Sequence, residues 1–198
     1  MKNKWFIISV IAGIVLIGII TLGPIMSNVE VPSYKVVNTV NNIEVRQYSP
    51  MIVAEVQIKG QREDAIGDGF RLLADYIFGN NITHKNIAMT APVQQQKIDD
   101  MWRISFVMPS EYKMNKLPKP ISELIRLKEV PAEMFAVITF SGQNSDKKNL
   151  KKHEEKLIEY IQSQNLLARG EPKYALYNPP WTLPFMRRNE IMIEVISQ

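Results

Sequence analysis

The chain has 198 residues, with 24 basic and 20 acidic side chains, a net charge of +4 and no cysteine. That length admits one domain with a sizeable core plus an appendage, rather than two full domains. With Lys2 and Lys4 set aside, basic residues exceed acidic ones by only two, which is no nucleic-acid footprint, and a chain without cysteine has neither a disulfide framework nor a lipidated cysteine anchor.

The appendage is Trp5 to Leu22, "WFIISVIAGIVLIGIITL", eighteen residues without a charge, preceded by Lys2 and Lys4 and closed by Gly23-Pro24. This is about the minimum for a membrane span. A cleaved signal peptide shares the basic start, but its apolar run is usually ~7 to 15 residues and ends in small residues. Here "GPIMSNV" offers a poor cleavage signal, so residues 1–23 are expected to be an uncleaved transmembrane anchor. The positive-inside rule then leaves the N-terminus in the cytoplasm and the rest outside the cytoplasmic membrane; cleavage would instead give a secreted protein. Residues 24–33 read as an extended linker and 34–198 as the folded domain.

In "YKVVNTVNNIEVRQY" two apolar-rich runs surround Asn41-Asn42, a hairpin signal because asparagine tolerates positive φ. After the break at Ser49-Pro50, "MIVAEVQIKG" resumes as a third strand. From Gln61 the period changes, and Ile66, Phe70, Leu73 and Ile77 form one apolar stripe of a helix that ends near Phe78, with Gly79-Asn80 as its stop. Next, "NIAMTAPVQQQ" reads as a strand interrupted by Pro92, which cannot donate to a ladder and belongs at an edge or bulge. A polar turn at Lys97 to Asp100 leads into "MWRISFVMP". A second helix is predicted over Asp146 to Gln164, with Leu150, Leu157, Ile158 and Ile161 facing in, and it is flanked by the strands "FAVITFSG", "PKYALYN" and "EIMIEVI". The lysines from Lys147 to Lys156 and the series Lys113, Lys116, Lys119 read as solvated surface in preference to an anionic-membrane contact.

At an offset of 82, Glu44 to Gly60 aligns with Arg126 to Gly142, so that Ala54 meets Ala136 and Gly60 meets Gly142, and a helix follows each segment. We read an internal duplication of a ββαββ unit. The expected fold is α+β: two repeated halves forming a distorted, barrel-like antiparallel sheet with two packed helices, preceded by the transmembrane helix.

Enzymatic signatures are scarce. No H-E-x-x-H, G-x-S-x-G or phosphate-cradling glycine loop is present, and His84 and His153 lack partners in sequence and are expected to be solvated. Two other features stand out. Gly67 and Gly69 lie inside the first helix, where each costs roughly 1 kcal/mol relative to alanine, so something must approach that backbone: the sheet, or a ligand. The stretch "YNPPWTLPFMRRNE" sets Tyr177, Trp181, Phe185 and Met186 in a proline-stiffened loop before Arg187 and Arg188. Such a loop suits a planar apolar ligand with acidic substituents, or else a structural cap.

"IEVRQY" with "SPMIVAEV", "AMTAPV" and "YNPPWTLPFMRRNEIMIEV" together resemble the SOUL haem-binding family, in order from about Tyr34 to Ile196. The resemblance implies a duplicated fold related to gyrase-inhibitor-like effector-binding domains. It also implies a tetrapyrrole held in an apolar groove between the first helix and the loop before the last strand. On this chain the groove would be Ile66, Phe70, Leu73 and Ile77, with Trp181, Leu183, Phe185 and Met186 opposite and Arg187 and Arg188 for the ring's carboxylates. Some members carry a histidine, proposed as an axial iron ligand, where this chain has Gln47, and basic residues where it has Gly67 and Thr182. Glutamine is a poor iron ligand, so burial without an axial protein ligand is the expected mode. The expected function is non-enzymatic binding of haem or another tetrapyrrole, with no metal site of its own, no nucleic-acid partner, and the membrane contacted through residues 5–22. The alternative is an effector-binding or enzyme-like module for another small apolar ligand, with Glu171 or Glu190 as acid/base.

Overall fold

A computed structural model describes residues 29–196; the expected anchor and the first half of the expected linker lie outside them. The strands are β1 (Tyr34–Val40), β2 (Ile43–Tyr48), β3 (Met51–Lys59), β4 (Val93–Ile98), β5 (Met101–Val107), β6 (Arg126–Val130), β7 (Met134–Phe140), β8 (Leu167–Leu176) and β9 (Asn189–Ile196). The helices are α1 (Arg62–Ile77) and α2 (Lys147–Ser163). All nine strands form one antiparallel sheet in the order β1-β2-β7-β9-β8-β4-β5-β3-β6. The expected barrel-like closure is therefore corrected: the sheet is open, with β1 and β6 as its edges.

The order of the eight strands after β1 reads the same from either end once each strand is exchanged for its counterpart in the other half. Each half lends its first strand to the other: β2 lies against β7 and β6 against β3. The registers agree residue by residue, since Val45 faces Ala136 while Leu127 faces Ala54. Gly60 and Gly142 end the corresponding strands with matching φ of +132° and +129°. The duplication is thus present, joined by strand exchange.

Both helices pack on one face. The α1 core contains Leu73, Tyr76 and Ile77 against Ala54, Val56, Ile104 and Phe106. The α2 core sets Leu150, Leu157, Tyr160 and Ile161 against Val45, Ala136, Ile138 and Ile193. The inward phase of both helices differs from the apolar stripes. Buried positions of α1 are Ala65, Gly69, Leu73, Tyr76 and Ile77, so Ile66 and Phe70 fall on its flank. In α2, Tyr160 is inside and Ile158 is exposed. Gly69 explains the α1 shift, because a β-carbon there would lie 2.7 Å from Cδ1 and 2.8 Å from Cγ1 of Ile104. The helix sits so close to the sheet that only glycine fits.

The stretch containing Met89-Thr90-Ala91-Pro92 is not a strand; β4 begins only at Val93, after a cis Ala91–Pro92 peptide. Its polar groups are paired elsewhere. The Thr90 hydroxyl donates to the Val107 carbonyl at 2.6 Å, and the Ala91 N–H donates to the Glu30 carbonyl at 2.9 Å. Val29–Ser33 therefore lies against the domain, with the Ser49 N–H also bonded to the Ser33 carbonyl at 3.0 Å.

The two α1 glycines should respond oppositely to alanine. Gly69→Ala must displace Ile104 and should lower stability by about 1–3 kcal/mol. No atom lies within 4 Å of a β-carbon at Gly67, so Gly67→Ala should raise stability by up to about 1 kcal/mol, both read from urea denaturation midpoints.

Candidate functional site

The helix stripe expected to face a ligand divides. Leu73 and Ile77 are core, Ile66 is half-buried, and Phe70 is 39% exposed with its ring 5.4 Å from that of Phe106. Phe70, Leu72, Ala74 and Phe78, with Asp68, Arg71 and Asp75 at its margin, line a shallow depression of about 670 Å³ on the outer side of α1. Gly67 stands one turn earlier on the same side, under open space. The row Gly67, Phe70, Ala74, Phe78 is the apolar surface that α1 offers. The stripe read from sequence, Ile66, Phe70, Leu73 and Ile77, mixes the two rows, because both are apolar and the packing at Gly69 decides between them.

In the loop between β8 and β9, Trp181 is 69% and Phe185 73% exposed, and Leu183 and Met186 are exposed too. The loop is braced from within. Arg187 donates from Nε to the Thr182 carbonyl at 2.7 Å and from Nη2 to the Pro180 carbonyl, while the Asn178 side chain accepts from the Arg188 N–H at 2.7 Å. The Gly142 N–H donates to the Pro184 carbonyl at 2.9 Å, and Arg62, at the start of α1, donates to the Asn144 carbonyl at 3.1 Å. The turn after β7 thus ties the aromatic loop to the N-terminal end of α1.

On the sheet face away from the helices, Arg46 and Glu190 form an ion pair at 3.1 Å with side-chain exposures of 3% and 0%. Glu190 also accepts from Thr139 at 3.3 Å, the Tyr177 hydroxyl at 2.7 Å, and Nε and Nη2 of Arg188 at 3.1 and 2.7 Å. Arg46 donates further to Glu44 at 2.6 Å and the Tyr48 hydroxyl at 3.2 Å, and lies 4.4 Å from the Tyr34 ring centre. Burial alone would lower the Arg46 pKa, but Glu190 and the bonds to Tyr48 and Glu44 drive it up instead. Burial and the nearby Glu190 carboxylate push Tyr48 up to about 12 and raise Tyr177 as well. Glu190, with four residues donating to it, is a structural anion. Arg188 is committed to it and stacks 4.0 Å from the Tyr177 ring centre, whereas Arg187, bonded to backbone carbonyls, keeps its charge and its remaining donors at the loop rim. This network was missed from sequence; its signal is the alternation Glu44, Arg46, Tyr48 on one face of a strand.

The same face holds a cavity of about 280 Å³ over Val53, Phe135 and Met192. Glu55 and Arg103 face each other across it at 3.6 Å, and Lys173 and Glu133 at 3.7 Å. Burial lowers the Lys173 pKa, and its ammonium lies 4.5 Å from the Phe135 ring centre. Arg103 Nε is buried without a hydrogen-bond partner. Glu171 is exposed at the rim. His84 is exposed, whereas His153 is half-buried and stacks on Phe140 at 4.2 Å. Among the described residues no cluster of His, Asp and Glu could hold a metal ion. Gln47 lies in β2 opposite Lys35 and Met134, in the half covered by α2.

Residues 29–194 match the SOUL heme-binding protein family. The chain belongs to that family. No curated protein matches it in sequence. The fold is similar to the C-terminal domain of EcmrR, with a TM-score of 0.58 at 12% identity over 83% of this chain and 99% of that one. It is likewise similar to a hydrolase from Listeria innocua, with a TM-score of 0.56 at 9% identity over 81% and 94%. EcmrR in its complex with DNA gives 0.61 at 12% identity over 79% of this chain and 57% of that longer one. At such identities these likenesses establish the fold alone.

A SOUL-family chain calls for a tetrapyrrole, and the surface features suit one: a glycine under open space, a flat apolar helix row and an exposed aromatic loop. The two guanidinium groups are not equivalent: Arg188 is paired with the Glu190 carboxylate, whereas Arg187 bonds backbone carbonyls.

Removing Arg46 leaves a desolvated carboxylate with Arg188 as its remaining cation. Arg46→Met should cost about 3 kcal/mol in chemical denaturation, and Glu190→Gln added to it should recover part of that. Tyr48, raised above its unfolded value near 10, contributes stability that is complete below that pH and lost as pH climbs through about 12. The tyrosinate absorbance assigned to Tyr48 by difference from Tyr48→Phe should therefore appear only near pH 12.

Proposed function

We propose that this protein binds haem or a related tetrapyrrole non-enzymatically, holding the ring by apolar burial on the outer side of α1 against the β8–β9 loop. One observation carries the reading: a SOUL-family chain keeps Trp181, Leu183, Phe185 and Met186 exposed on a braced loop tied to the end of α1 beneath which Gly67 leaves open space. The ring would lie over Gly67 and Phe70, with its edge against Trp181 and Phe185 and an acidic substituent at Arg187. Haem, when bound, would supply a redox-active iron; the chain's part is to exclude water from the ring and orient its carboxylates. Trp5 to Leu22 would anchor the domain on the outer side of a cytoplasmic membrane.

A second reading, an effector-type module for another small ligand, draws support from the charged cavity on the opposite face, where Arg103 Nε is buried beside Glu55 without a hydrogen bond. The two readings place the ligand on opposite faces of the sheet, so mutations separate them.

Truncating Phe70 or Trp181 to alanine should weaken haemin binding, followed by the Soret band, by a few kcal/mol, since aromatic area is worth ~25 cal/mol per Å². Arg187→Ala should weaken a dicarboxylate porphyrin more than its diester, while Arg188→Ala should reduce stability instead. Lys173→Met and His84→Ala should leave haemin affinity unchanged. Loss of the Soret change in Lys173→Met, with Phe70→Ala and Trp181→Ala intact, would move the ligand to the other face.

A further inference from the structure

The segment between β5 and β6 carries three exposed lysines, Lys113, Lys116 and Lys119, and two exposed apolar side chains, Ile121 and Leu124. It is fastened at both ends to the rest of the domain. At its start the Ser110 N–H donates to the Glu30 side chain at 2.8 Å, and Lys113 and Met114 line a cleft with Glu30, Val31 and Pro32. Toward its end the Ile82 N–H donates to the Lys119 carbonyl at 3.0 Å, Asn81 bridges to Pro120, and the buried Tyr76 hydroxyl donates to the Pro118 carbonyl at 2.7 Å. Exposed Ile82 and Lys85 thereby join the same face. The acidic side chains there are Glu30, whose carboxylate accepts the Ser110 N–H, Glu111, Glu123 and, at the edge of the cleft, Glu129, and Arg126 adds a further cation.

This face lies beside the point where the described chain begins. Only Gly23 to Asn28 separates the apolar run ending at Leu22 from Val29, and that length spans at most about 25 Å. A domain of this size has a radius of gyration of about 15 Å, so a tether this short keeps the Val29 side of the domain at the bilayer. The geometry points to membrane docking: we propose that the face of Lys113, Lys116, Lys119, Ile82, Ile121 and Leu124 sits on the anionic headgroups of the bilayer that holds Trp5 to Leu22. The proposal rests on the reading of that segment as an uncleaved anchor. The lysines would meet lipid phosphates while the apolar side chains enter the interface, and the tether makes the contact intramolecular.

Because the chain has no cysteine, single cysteines report on this directly. The full chain, carrying an environment-sensitive dye at Ile121→Cys or Leu124→Cys, is placed in vesicles of phosphatidylcholine with or without phosphatidylglycerol. Val37→Cys, on exposed β1 at the opposite edge of the sheet, is the control. Both test positions should shift to the blue with phosphatidylglycerol and the control should not. The shift should disappear in 1 M salt, where screening acts within about 3 Å, and in the triple variant Lys113→Glu, Lys116→Glu, Lys119→Glu. Test positions as solvent-exposed as the control in anionic vesicles, or a triple variant that shifts like its parent, overturn the proposal. Flotation on phosphatidylcholine vesicles in 1 M salt reports the anchor alone: a chain that fails to float refutes the anchor reading, and a blue shift on anionic vesicles at low salt then still decides the docking face.

Discussion

A guanidinium and a carboxylate that are both shut off from water, Arg46 and Glu190, fasten the first half of the chain to the second. They can meet because strand exchange carries β2 out of its own half and lays it against β7, whose far neighbour is β9. Removing two such ions from water costs several kcal/mol each, and their attraction offsets this only if the remaining donors and acceptors are also matched. Here they are: Tyr48, Glu44 and the Tyr34 ring receive Arg46, and Thr139, Tyr177 and Arg188 complete Glu190. The pair therefore fixes which halves join and in what register, a specificity that apolar side chains in the same places would encode less sharply.

Glu190 also sets the geometry of the aromatic loop. Tyr177 and Arg188 are the two feet of that loop; each donates to the same carboxylate, and the Tyr177 N–H bonds the Arg188 carbonyl at 3.3 Å. A loop clamped at its base, stiffened by prolines and braced by Arg187 loses little further freedom when something settles against it. The exposed Trp181 and Phe185 are thus presented by the rigid part of the molecule, and the stability network and the proposed ligand surface share one anion.

The helices, the Asn41-Asn42 hairpin and the duplication were legible because each is a local pattern: a period, a turn residue at φ 58°, a recurring order of elements. Strand exchange was not, since Val45 carries no mark that says it faces Ala136 instead of Ala54. The two repeated halves that suggested a barrel-like sheet are equally satisfied by an open sheet with helices on one face. The phase of α1 was misread for a related reason: glycine has no side chain to enter an apolar stripe, yet Gly69 sits deepest because the sheet reaches its backbone. The loop's apolar and basic residues were identified as a group, but their hydrogen bonds divide Arg187 from Arg188, and nothing in the dipeptide signals which one is taken.

The two faces of the sheet have different freedoms as a result. On the helix side, positions beneath α1 and α2 are constrained by close packing, while the outer row of α1 is open to solvent and touches the core only from its flank, through Phe70 on Phe106. On the other side the ion pair occupies one end and the charged cavity the other, with Phe135 and Met192 between them. Within this shared fold, a ligand can be met on the outside of α1 without touching the buried Arg46–Glu190 pair; the ion pair at that surface, Arg71 with Asp68, is solvent-exposed. A ligand entering the cavity would instead meet the charged walls formed by Glu55 with Arg103 and Lys173 with Glu133, which are loosely paired at 3.6 and 3.7 Å. The outer surface therefore favours recognition by apolar area, and the cavity favours recognition by charge. A flat, largely apolar ring of the kind proposed would belong to the first.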